Sequence, residues 1–81
     1  MYNVYELLPD DSHKSFYGKA MVIVTDEGEY LRSYNTIVMF RDNDGNYYRT
    51  WNGWSATTGR HIKAFSGIYK AGYFNLPFKR L

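Results

Sequence analysis

The sequence contains no cysteine, so neither a disulfide nor a thiolate metal site can staple the fold. His13 and His61 are its only histidines, and two imidazoles alone do not make a structural zinc site. Long apolar runs are also missing. The longest, residues 20–24 and 37–40, are far too short to cross a bilayer. Residues 1–10 lack a basic start followed by an apolar stretch, so no signal peptide is read there. The expectation is a soluble, cytoplasmic protein with no membrane association. No arrangement of nucleophile, base and acid, no cluster of metal ligands and no glycine-rich phosphate loop is visible. Catalytic residues, a metal and a cofactor are therefore not expected, and a binding role is the better inference.

Carboxylates are missing from everything after Asp44. Residues 1–40 carry six carboxylates against three cations, a net charge of −3, whereas residues 41–81 carry seven cations against two carboxylates, a net charge of +5. Such asymmetry can create a basic face suited to nucleic acid or to an acidic protein. Alternatively, folding lays the acidic first half beside the basic second half and neutralises both.

What the chain has in excess is aromatic surface: nine tyrosines, five phenylalanines and two tryptophans in 81 residues. A domain this small buries only about two-thirds of the surface of its unfolded chain. Some rings must then lie outside, where aromatic side chains serve as partner anchors, or be covered by a second copy of the chain. Both a monomer and a homodimer fit.

The chain reads as a single domain over residues 1–81, without linkers or repeats. A first strand spans residues 2–8 and stops at Pro9 and the polar cluster Asp10, Asp11 and Ser12. A second spans 16–25, followed by a turn that contains Gly28. A third, unusually long strand spans 29–41; neither of its faces is cleanly apolar, so a bend or bulge is expected near residues 33–35. Asp42-Asn43-Asp44-Gly45-Asn46 is a hairpin turn, because Asp-Gly tolerates left-handed angles. Residues 47–51 form the fourth strand. Ser55 is placed to cap a helix over residues 56–65, with Thr58, Ile62 and Phe65 as its apolar stripe and Gly67 as its stop. Gly59 inside that helix implies a close approach to the sheet. The tail, residues 68–81, adds at most a short turn or edge strand, and Pro77 prevents a regular helix there. The fold class is α+β, with about four antiparallel strands and one main helix packed on one face.

Several motifs carry two readings. Asp42-x-Asp44-Gly45 has the start of a calcium loop, but the glycine comes too early and the closing glutamate position falls on Gly53, so the hairpin turn is preferred. Ser55, Thr57 and Thr58 gather hydroxyls at the helix N-terminus, an anion-binding candidate whose plain alternative is capping. His61 flanks the apolar stripe, where a half-buried imidazole bonded to backbone or a tyrosine hydroxyl outranks a catalytic one. Of Trp51 and Trp54, one is expected in the core and the other partly exposed. Interleaved Tyr30, Arg32, Tyr34, Arg41, Tyr47 and Arg49 could stack bases and meet phosphates, or pair across strands.

Ser33-Tyr34-Asn35-Thr36, Thr50-Trp51-Asn52-Gly53-Trp54-Ser55-Ala56-Thr57-Thr58 and Arg60-His61-Ile62 resemble a family of small uncharacterised proteins from phages and mobile elements of Gram-positive bacteria. The resemblance implies no established activity and no catalytic residues. By analogy with compact phage proteins, it implies a protein that binds and blocks a host defence or regulatory protein, as anti-CRISPR proteins do. Tyr34, Arg49, Trp54, Arg60 and Lys63 are the expected aromatic and basic contact surface. The first expectation is thus a non-enzymatic protein-binding module with a host protein as partner; the alternative is a small nucleic-acid binder using the same side chains.

Overall fold

The computed structural model describes residues 3–9 and 15–81. The start of the first strand at residue 2 and the polar stop at 10–12 lie outside the described residues. Five strands, β1 (Asn3–Glu6), β2 (Ala20–Thr25), β3 (Gly28–Ser33), β4 (Thr36–Asp42) and β5 (Tyr47–Arg49), form one antiparallel sheet in chain order. Two helices follow, α1 (Ala56–Ser66) and the short α2 (Lys70–Phe74). The α+β class and the helix on one face are as expected.

The strand count rises from four to five because the segment 29–41 is not one strand. Tyr34 adopts a φ of 55°, and Ser33 pairs directly with Thr36, so the chain reverses in a two-residue hairpin. Only the first central residue has a positive φ, the pattern of a type II′ turn, in which glycine is the usual occupant. The bulge falls elsewhere than expected. Leu31 faces Met39 while Arg32 faces Ile37, which makes Val38 the extra residue and sends Val38 and Met39 both into the interior, at 1% and 0% exposure.

The helix follows its sequence signals closely. Ser55 Oγ accepts from Thr58 N at 3.1 Å, and Gly67, at φ 76°, closes the C-terminus by donating its N–H to Lys63 O. Ile62 and Phe65 join Val22, Leu31, Val38 and Met39 in the core. Gly59 serves a close approach, but to the indole of Trp54 rather than to the sheet: a Cβ there would lie 2.9 Å from Trp54 Cε2. Neither tryptophan is fully buried or fully exposed; both are half-buried and pack against the core.

The tail is better ordered than its composition implies. Arg49 N donates to Pro77 O at 3.0 Å and Lys79 N to Arg49 O at 2.8 Å, so residues 77–79 run parallel along β5 and cover that sheet edge. The helix α2, ahead of Pro77, inserts Tyr73 into the core at 0% exposure. Its hydroxyl proton is shared between Val38 O at 2.7 Å and Trp51 O at 2.9 Å, and burial pushes its pKa up to about 12. Tyr73→Phe would take the hydroxyl donor from Trp51 O and leave Val38 O only the longer bond from Thr50 N, at 3.3 Å. A loss of about 1–3 kcal/mol of unfolding free energy is expected, read by denaturant titration; a loss near zero would show that this bond does not hold the tail.

Candidate functional site

Where α1 crosses the end of the β3–β4 hairpin, three polar side chains meet inside the protein. Ser33 Oγ lies 2.7 Å from His61 Nδ1 and 2.9 Å from Thr58 Oγ1. All three residues are buried, at 2%, 1% and 5% exposure. Thr58 and His61 are one helical turn apart and so present both groups to one strand residue. The Phe16 ring meets the imidazole edge-on with centroids 4.6 Å apart, and the Tyr34 ring lies 5.8 Å away. Burial lowers the imidazole pKa, and the neighbouring Arg60 lowers it further. His61 is thus more buried than its position implied, and its partner is a serine hydroxyl.

Above this junction two turns present tyrosines to solvent. Tyr17 and Tyr34 are the only non-glycine residues with positive φ among the described residues, at 57° and 55°. Tyr17 is 79% exposed and Tyr34 is 45% exposed. Each is held by its surroundings. Lys19 N donates to Phe16 O, closing a turn whose central residues Tyr17 and Gly18 are both left-handed. Glu6 Oε1 accepts from Ser15 Oγ at 2.9 Å and from Gly18 N at 3.2 Å, and Tyr17 N donates to Ser15 Oγ. Tyr34 N donates to Lys19 O at 2.7 Å, which locks the two turns together, and Lys19 Nζ sits 5.7 Å from the Tyr34 ring centre. Tyr17, Phe16 and Lys19 escaped the sequence reading because residues 16–19 were assigned to the second strand. Gly18 within that apparent strand was the available signal of a turn.

The remaining candidate residues are spread around α1. Arg60 is exposed beside the junction and makes no ion pair among the described residues. Trp54 packs on Gly59 and lies 5.6 Å from the Tyr73 ring and 6.4 Å from that of Phe74. Lys63 is half-buried, with Nζ 5.2 Å over the Tyr69 ring. Arg49 serves the tail: Nε donates to Leu76 O, Nη1 donates to Asn52 Oδ1 at 2.6 Å, and the guanidinium covers Phe78. The three hydroxyls at the helix N-terminus are not brought together. Ser55 caps and Thr57 is exposed, but Thr58 turns inward to Ser33.

The interleaved tyrosines and arginines do not make one platform either. Register places Tyr30 with Phe40 and Tyr48 on the sheet face away from α1, whereas Arg41 and Tyr47 share the helix-side face with Glu29. Arg41 pairs with Glu29 and covers Phe65. Asp42 is consumed by its own turn, accepting from Asp44 N, Asn46 N, Asn46 Nδ2 and Tyr48 OH. The backbone bond from Asn46 is the main cause of its lowered pKa. Among the described residues no three His, Cys, Asp or Glu side chains converge to hold a metal ion, and no helix is long and apolar enough to cross a membrane.

Residues 5–73, a span that contains both tyrosine turns and the junction beneath them, match a family of unknown function, DUF8033. The chain belongs to that family. No curated protein and no solved structure matches it. For this DUF8033 member the functional reading therefore rests on its own geometry, in which β5 and α1 lie within the matched span, α2 runs one residue past its end, and the strap from Pro77 onward lies beyond it.

Two outcomes follow from the geometry of this end. A left-handed conformation costs a non-glycine residue about 1–2 kcal/mol. Tyr34→Gly and Tyr17→Asn are each expected to raise the unfolding free energy by about 1 kcal/mol; a fall at both positions would show that neither is strained. For His61 the folded-state pKa lies below the ordinary 6.5, so the unfolded chain binds the proton more readily. Its contribution is fully present above that value and is lost as pH falls through the folded-state pKa. Unfolding free energy is expected to drop as pH falls below about 7.5 and through the folded-state value beneath 6.5, with a smaller drop in His61→Asn. Equal slopes in the two proteins would contradict the assignment.

Proposed function

We propose that this DUF8033 member is a small, non-enzymatic binding protein that docks an acidic partner protein on the end formed by Tyr17, Tyr34, Lys19 and Arg60. The observation that carries this reading is the pair of left-handed tyrosines held open to solvent. At both positions glycine or asparagine would make the turn without strain. Strain of this kind persists where the side chain has a use, and binding surfaces are such places. Tyrosine and arginine are the side chains that most often anchor protein interfaces. The flanking cations are Lys19 and Arg60; the one carboxylate shown at this end, Glu6, is held beneath the Tyr17 turn by Ser15 Oγ and Gly18 N, and no carboxylate follows Asp44 to neutralise α1, so an acidic surface is the complement that such a site attracts.

Three features argue against chemistry at the junction below. Ser33 and His61 have the spacing of a nucleophile and a base, but both are shielded from solvent and Ser33 is also engaged by Thr58. The described residues supply no carboxylate hydrogen-bonded to the imidazole. A phage-encoded inhibitor of a host defence or regulatory protein is one specific form of this reading; it rests on the resemblance alone. Nucleic acid is the competing ligand, since tyrosines beside cations also stack bases.

The test uses the double variant Tyr17→Asn/Tyr34→Gly, which removes both rings while relieving both turns. Immobilised wild-type protein is expected to retain an acidic protein from nuclease-treated host lysate. Retention is expected to fall at least about tenfold in the double variant, with the circular dichroism spectrum unchanged. Undiminished retention by the folded double variant overturns the site. Binding of a random single-stranded oligonucleotide that fades steeply with salt and is lost in the same variant overturns the protein-partner reading in favour of nucleic acid.

A further inference from the structure

The two edges of the sheet are treated differently. Beyond β5, residues 77–79 occupy the edge and take up the outward N–H and C=O of Arg49. Beyond β1 no strand pairs among the described residues, and all four residues of β1 are exposed. Val4 is 57% exposed, Tyr5 45%, and Leu8, just past the strand, 63%. The strand is short, four residues, and carries one charge, Glu6, but it has no lysine, no proline and no bulge to turn a second strand away.

The direction of its free backbone groups can be read from the pairing with β2. Leu7 N donates to Ala20 O, and the register pairs Tyr5 with Val22 and Asn3 with Val24. Odd-numbered residues therefore bond inward, and the N–H and C=O of Val4 and Glu6 point away from the sheet. A second antiparallel β1 related by a two-fold axis must bring residues of the same face opposite one another. Three registers meet that condition near the strand centre. Placing Glu6 opposite Glu6 sets like charges together, and placing Val4 opposite Val4 satisfies only one pair within the strand. The register that sets Val4 against Glu6 of the second copy, twice, uses every outward group of the two residues. It also puts the two Tyr5 rings in the closely spaced, non-hydrogen-bonded position at the centre.

We propose that two copies of this chain associate through β1 in that register, forming a continuous ten-stranded sheet with Tyr5 against Tyr5 on the axis. The contact is small, and a dissociation constant on the order of 100 µM is expected. The seam adjoins the docking end at Glu6, whose backbone it would use and whose carboxylate holds the Tyr17 turn.

The experiment is a concentration series by light scattering on the wild type and on Val4→Pro. The substitution removes an outward N–H that β2 does not use. The wild type is expected to shift from monomer to dimer as concentration rises, while Val4→Pro remains a monomer with an unchanged circular dichroism spectrum. Because the chain has no cysteine, Tyr5→Cys gives an independent measurement that needs no proline: on oxidation it is expected to form a disulfide dimer, and Asn3→Cys is not. A wild type that stays monomeric at about 1 mM, or equal cross-linking at both positions, overturns the proposal.

Discussion

The hydrogen bonds joining Ser33 to His61 and Thr58 are the fastening on which the functional end depends. This chain has no covalent staple, and most of the contact between helix and sheet is apolar. Apolar packing alone is non-directional and tolerates sliding. A buried trio of hydroxyls and imidazole does not, because displacing any member leaves a polar group dry and unpartnered. The trio sets α1 against the last residue of β3, directly before Tyr34. The hairpin reversal is thereby held from beneath by Ser33 and from the side by the bond between Tyr34 N and Lys19 O. A turn with a bulky residue in a glycine position persists only when its surroundings over-determine it.

Charge in the molecule is segregated along the chain, and the ion pair that joins the two halves among the described residues is that of Glu29 and Arg41. Glu29 is spent on Arg41 within the sheet, Glu6 on the turn at residues 15–18, and Asp42 on its own hairpin. These three carboxylates are engaged away from α1, and Arg60 makes no ion pair among the described residues. The excess of rings is likewise divided. Tyr73 is wholly internal, Tyr30 and Tyr48 flank Phe40 on the face away from α1, and Tyr17, Tyr34 and Tyr69 are left in water.

Much of the architecture was legible because it is written in local signals. Ser55 and Gly67 bound α1 by caps that act over three or four residues, and Asp42 to Asn46 form a hairpin turn by side-chain bonds of the same range. The misreadings have a common physical cause. Ser33-Tyr34-Asn35-Thr36 has no glycine to mark its reversal, and its conformation is imposed by contacts with Lys19 and His61 that lie far away in sequence. The Ser33–His61 bond spans 28 residues, and nothing local announces it. The helix α2 has no side-chain cap at Tyr69; it exists because Tyr73 reaches Val38 and Trp51 across the core. Of the candidate site, Tyr34 and Arg60 were identifiable as exposed aromatic and basic residues, whereas Tyr17 was hidden inside an apparent strand.

The claim that two tyrosines are held in left-handed turns can be examined in solution without any partner. A positive φ brings a residue's own amide proton unusually close to its Hα, which gives a strong intraresidue nuclear Overhauser effect. In the wild type the account predicts that strong signal at Tyr17 and Tyr34 and at no other non-glycine position among the described residues. Weak intraresidue signals at both tyrosines, with the turns relaxed to ordinary negative φ, would contradict it.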